Sequence, residues 1–162
     1  MATLEDLVTQ KLLVPIAVEL GPREFYDRKM YGSPAFKKWL FDDVMRAKAF
    51  YSDSISPKQQ AYSLIKHFIS GKPMRGTRLF QRMSPSGDDV WEFRSAPDLR
   101  FFGWFPKKDA YIAVKGDFFE TLKADKTLYD QHRLDVIQFR KQIDLNEPKY
   151  VPGAGENDVV SE

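Results

Sequence analysis

The chain has 162 residues, of which 43% are apolar and 14% aromatic, which is enough for one domain with a sizeable core and too oily for a disordered chain. It contains no cysteine and two histidines. Disulfide frameworks, thiolate nucleophiles, iron–sulfur clusters and cysteine zinc sites are therefore excluded. The formal net charge of +2 is silent about partners.

In chain order, Leu4, Leu7, Val8, Leu12 and Leu13 recur at helical spacing until Pro15, which predicts a short first helix. Gly21 to Gly32 lacks periodicity and reads as a connection that packs its tyrosines locally. Ser33-Pro34 is a sound helix start, and Phe36, Trp39, Leu40 and Val44 carry the pattern to about Phe50. Ser56-Pro57 repeats the device, with Tyr62, Ile65, Phe68 and Ile69 on the pattern and Gly71 as the stop. After Pro73 the period changes. Thr77–Met83, Val90–Ser95, Leu99–Phe105 and Ala110–Lys115 read as strands joined by short turns, favouring an antiparallel meander. A last helix is expected over Thr121–Ile143.

The fold class expected is thus α+β: N-terminal helices, a curved antiparallel sheet of about four strands, and a C-terminal helix. Residues 1–145 form one domain whose first 72 or so residues are an extended helical region. Residues 146–162 are rich in Glu, Asp, Pro and Gly and read as a flexible acidic tail. No stretch approaches the roughly 20 apolar residues of a bilayer span, and no signal peptide opens the chain, so a cytoplasmic protein without a membrane partner is expected.

Strand alternation sorts the side chains before any topology is known. Trp91 and Phe93 share one face, opposite Val90, Glu92 and Arg94; Arg100 shares a face with Phe102 and Trp104. Tyr111 and Lys115 fall together by the same count, and Arg78 and Arg82 fall beside Phe80. Between Lys72 and Lys115 nine basic residues stand against five acidic ones, so the sheet is the basic part of the chain. Cations interleaved with rings suit single-stranded nucleic acid, because guanidinium groups pair with phosphates while rings stack on bases. The competing reading is a wet sheet face where Arg and Lys pair with Glu92 or Asp98.

Asp-Val-Trp-Glu-Phe-Arg at 89–94, followed by Leu-Arg-Phe-Phe-Gly-Trp-Phe at 99–105, resembles the paired strands of RelE/HigB-type toxins, in particular the phage-derived HigB-like branch. The likeness extends over about residues 77–143, with the strand from Ala110 and Lys123 in the places where that family has a further strand and a lysine-containing loop. It implies a RelE-like fold and an RNA-binding protein that, in active members, is a metal-independent endoribonuclease cutting messenger RNA on the ribosome. It also implies a cognate antitoxin partner and no cofactor. In such enzymes cationic side chains hold the scissile phosphate while the RNA's own 2′-hydroxyl attacks.

Carried over by position, Arg100, Arg94 and Lys115 are the catalytic candidates, with Arg100 the better placed for the phosphate. Lys107, Lys108, Lys123, Tyr111 and Tyr129 are the RNA-binding candidates. The chain departs from the family in the length of its front region, since compact members have an opening strand and a shorter helical hairpin. Gly116, Asp117 and Glu120 also interrupt the expected basic loop. A noncatalytic protein-interaction module of phage or mobile-element origin is the alternative.

Other constellations are weaker. His132 is an acid–base candidate if it faces the sheet, and otherwise a surface or packing residue. Asp88-Asp89, after Ser-Pro-Ser-Gly, reads as a hairpin turn. The run Phe101, Phe102, Trp104, Phe105 reads as a central strand buried on both sides, with a bulge at Gly103. Two separated histidines without cysteine predict no metal site.

Overall fold

The computed structural model describes residues 1–49, 55–95, 97–153 and 155–162. Helix starts follow their caps. Thr3 closes a capping box with Asp6 at the head of α1 (Leu4–Thr9). Ser33 accepts from the Phe36 amide and Pro34 fills the first turn of α2 (Pro34–Lys38). Ser56 and Gln59 close a second capping box ahead of α3 (Pro57–Ile69), which ends before Gly71 in a left-handed conformation. Beyond Lys38 the helix predicted to about Phe50 widens into a π turn (Trp39–Asp43) and tightens into a 3₁₀ turn (Val44–Arg46). Phe50 lies outside the described residues.

The sheet has six strands, not four, and is mixed. Its strands are β1 (Val14–Ile16), β2 (Lys29–Gly32), β3 (Phe80–Arg82), β4 (Trp91–Ser95), β5 (Leu99–Lys107) and β6 (Ala110–Phe118), in the order β1-β2-β6-β5-β4-β3. The four strands expected after Pro73 form an antiparallel meander. The two others come from stretches read as a helix end and a connection: β1 pairs antiparallel with β2, and β2 runs parallel to β6. Both are three or four residues long, too short to show an alternation, and Pro15 sits within β1 at the sheet edge, where a missing amide is tolerated.

The chain passes from β2 to its parallel neighbour β6 through α2, α3 and the strands β3 to β5; α2, the turns after it and α3 cover one face, with Phe36, Val44, Leu64 and Phe68 packed against Phe93, Phe101 and Phe105. Helix α1, with α4 (Phe119–Ala124) and α5 (Thr127–Gln142), covers the other face, where Leu7, Leu122 and Val136 meet Phe102, Trp104 and Ile112. The expected last helix is therefore two. Strand β5 is buried from Phe101 to Phe105, as a strand sandwiched between two helical layers must be.

A bulge decides which side chains share a face. Phe102 pairs with Lys115 but Gly103 pairs with Ala113, so β6 carries one extra residue, Val114. Lys115 thereby moves to the α5 side while Tyr111 stays on the α3 side, which corrects the alternation count that put them together. Gly103 is required there, because a Cβ would collide with the Ile112 carbonyl and the Tyr111 ring.

The acidic segment after Asn146 is not a free tail. Residues 155–162 fold back as a single turn, α6 (Glu156–Val159), and an extended end, and Val159 and Val160 are fully buried in the α3-side core. Two adjacent valines supply the apolar surface that its charge count concealed. Among the described residues no helix is long and apolar enough to cross a membrane.

Gly103→Ala is expected to lower stability by about 2–3 kcal/mol, read as a reduced urea midpoint with unchanged slope. Gly87→Ala, where a Cβ meets open space, should stay within about 0.5 kcal/mol of the parent.

Candidate functional site

On the α5 side of the sheet, alternation brings Glu92 and Arg94 of β4 to one face, and the register sets Arg94 directly opposite Arg100 of β5. Like charges placed so repel unless something lies between them. Glu92 does. Its Oε1 accepts a hydrogen bond from Arg94 Nε at 3.0 Å and lies 3.3 Å from Arg100 Nε, at ion-pair distance but without hydrogen-bond alignment. The carboxylate is buried, 2% exposed, so neither guanidinium is bridged to it through bulk water.

The two cations differ in access. The Arg100 side chain is 11% exposed and that of Arg94 34%. Arg100 donates to the Leu99 carbonyl at 2.8 Å, its guanidinium carbon stands 4.4 Å from the Phe119 ring centre, and the Tyr129 hydroxyl is near enough for the two groups to shift each other's pKa. Burial lowers the pKa of Arg100, and the Glu92 charge pulls it back up. Burial raises that of Tyr129, the Glu92 charge adds to the rise, and the two arginines oppose it. Both groups keep their protons at neutral pH, Arg100 as a cation and Tyr129 as a neutral phenol.

One strand further, Asp117 of β6 lies opposite Arg100, and His132 of α5 places Nε2 2.8 Å from Asp117 Oδ2. The imidazole stands 5.0 Å from the Phe102 ring, and its Nδ1 is buried without a hydrogen-bond partner among the described residues. His132 thus faces the sheet and packs there. It is the first of three buried residues spaced by four, His132, Val136 and Arg140, that form the inner stripe of α5. The helix is fastened over this face at its other end: Arg140 donates to the Asp88 and Asp89 carbonyls at 2.7 and 3.2 Å, and Arg133 pairs with the Asp88 carboxylate. Asp88 closes a 3₁₀ turn and Asp89 is left-handed, so the hairpin-turn reading of this pair holds, with a clamping role added.

Of the sequence-derived candidates, the fold brings Arg94, Arg100 and Tyr129 together. Lys115 lies on the same face, 4.0 Å from Asp135 of α5. Lys123 is exposed on α4. Lys107 and Lys108 are exposed at the β5–β6 turn, the end of β5 away from Arg100, and do not join the cluster. Tyr111 is corrected outright: it is fully buried on the α3 face, stacked on Phe93 at 3.9 Å, and its hydroxyl donates to the Trp91 carbonyl at 2.8 Å. Its pKa is pushed well up by burial and then by Glu92.

Sequence reasoning missed Asp117 as a partner for His132. It named Glu92 as a counter-ion for the sheet arginines without placing it between Arg94 and Arg100. The signal for Glu92 was present, since it precedes Arg94 by two in a strand whose remaining residues are apolar or small.

One carboxylate against two guanidiniums leaves the cluster one positive charge in excess, with its accessible edge on Arg94. Such an arrangement offers the partly exposed guanidinium edge of Arg94 to an anion such as a phosphate. The chain matches no protein-family model, and comparison with curated proteins and with solved structures gives no match.

Glu92→Gln leaves two facing guanidiniums without a counter-charge and is expected to cost about 2–4 kcal/mol in chemical denaturation. Tyr111→Phe, which strands only the Trp91 carbonyl, should cost about 1 kcal/mol in the same assay.

Proposed function

We propose that this chain is a RelE/HigB-like RNA-binding protein in which Arg94 receives the phosphate of a single-stranded RNA and Arg100 holds the site in shape. The observation that carries the reading is the convergence of Arg94 and Arg100 on one buried carboxylate, beside Tyr129. The exposure of the two side chains reverses the roles that the motif alone gave them. The order of elements supports the same family reading. An opening strand (β2) and a helical pair (α2 and α3) precede the four meander strands, and β1 with α1 accounts for the additional front residues.

If the site cleaves, the chemistry is attack of the RNA 2′-hydroxyl on the adjacent phosphorus, with the guanidiniums stabilising the added negative charge. The geometry favours binding over cleavage, because Arg100 is roofed by Phe119 and Tyr129 and its charge is shared with Glu92. The second reading, a noncatalytic protein-interaction module, draws on the same roof and on the helical cover of both sheet faces.

Single-stranded RNA is expected to bind with an affinity that falls steeply with salt, and Arg94→Ala should weaken binding at all sequences and flatten the salt slope by about 1. Lys107→Ala with Lys108→Ala should change it far less than Arg94→Ala. Absence of RNA binding at low salt, or an Arg94→Ala protein that binds like the parent, refutes the proposal. Messenger RNA cleavage on translating ribosomes, abolished by Arg100→Ala, would establish the enzyme; salt-tolerant capture of a protein partner with no RNA affinity would establish the module.

A further inference from the structure

At the end of β5 away from Arg100, the chain builds a second polar site that owes nothing to the RNA reading. Its centre is Arg28, whose side chain is 1% exposed. Nη1 donates to the carbonyls of Phe68 and Lys72 at 3.0 and 2.9 Å, which fixes the guanidinium against the end of α3. Its other edge faces the C-terminal segment: Nη2 donates to the Ser161 carbonyl at 3.1 Å and to Glu162 Oε2 at 3.3 Å.

Three successive amides complete the site. Met74 N and Arg75 N donate to the Glu162 carboxylate at 2.5 and 3.0 Å, and Gly76 N donates to Glu156 Oε1 at 2.9 Å. The left-handed Gly76 turns this run of donors into a concave nest for carboxylates. Arg75 adds bonds to Asn157 Oδ1 and the Glu162 carbonyl, and Asp109 accepts from the Ser161 amide at 2.8 Å while its own amide donates to the Val159 carbonyl at 2.8 Å. Val159 and Val160 fill the apolar floor. Burial alone would raise the Glu162 pKa, but the Met74 and Arg75 amides and the Arg28 and Arg75 charges outweigh it, so the site prefers the ionised carboxylate.

We infer that Arg28, Asp109 and the 74–76 backbone form a peptide-recognition site for an acidic segment with two adjacent valines, occupied in cis by residues 156–162, which act as a displaceable strap. Every strand pairing and the helices α1 to α5 lie outside the strap, so its release dismantles no secondary structure but its own turn. Release does uncover the apolar floor, so the closed state is favoured. Ion pairs and amide–carboxylate bonds hold the two ends of the strap and apolar burial holds its middle.

The test uses the 162-residue chain and a labelled peptide of residues 155–162, Gly-Glu-Asn-Asp-Val-Val-Ser-Glu. A tethered segment competes at an effective concentration on the order of mM, so the free peptide should bind the parent protein poorly. It should bind Glu162→Ala, whose own strap is weakened, at least roughly tenfold more tightly, and a peptide lacking the last Glu should not compete. Equal binding to the two proteins, or none to either at about 1 mM, overturns the proposal. If Glu162→Ala fails to fold, amide exchange on the parent decides. Residues 158–162 should then exchange through a local opening faster than α3 and β5, and exchange at the core rate overturns the proposal. RNA affinity should be unchanged throughout, which separates failure here from failure of the RNA reading.

Discussion

A single buried carboxylate organises the face of the sheet that matters. Arg94 and Arg100 are placed opposite each other by strand register, and the low-dielectric layer beneath α5 would make that pairing untenable without Glu92. Its position follows from strand alternation: two residues before Arg94 on β4, diagonal to Arg100 across the pair. Because the carboxylate satisfies one charge and not two, the cluster keeps an excess cation. Because α4 and α5 cover Arg100 with Phe119 and Tyr129, that excess emerges at Arg94.

The rest of the architecture serves this arrangement in two ways. The crossover through α2 and α3 fills the opposite face with aromatic side chains, fixing the strands against which the charged residues are registered. On the near face, Arg133 and Arg140 tie α5 to the β3–β4 turn, so the roof is held by specific bonds at its ends as well as by the apolar contacts of Leu122 and Val136. The bulge at Val114, opposite Gly103, then brings Lys115 and Asp117 round to the charged side. Without it, Lys115 would point into the α3 core beside Tyr111.

The meander was legible in the sequence because its strands are bounded by Pro, Gly and Asp turns, and the helix starts were legible because Ser33-Pro34 and Ser56-Pro57 are cap signals. Strands β1 and β2 were not, since strands of three or four residues carry no period and Pro15 argued for a helix end. The convergence of Arg94 with Arg100 follows from alternation plus a hairpin. The burial of Tyr111 and the separation of Lys107 and Lys108 from the cluster depend on long-range placement that no local pattern encodes. The segment 155–162 was misread for a related reason: its acidic composition suggested solvent, whereas two buried valines and inward-facing carboxylates on Arg28 and the 74–76 amides decide where it lies.

The most direct test of the central claim is the NMR signal of each arginine Nε–H during titration with single-stranded RNA. The account predicts that the Arg94 signal shifts progressively while the Arg100 signal, shielded beneath α4 and α5, holds its position. Shifts confined to other arginines, or an Arg94 signal that stays put at saturating RNA, would contradict it.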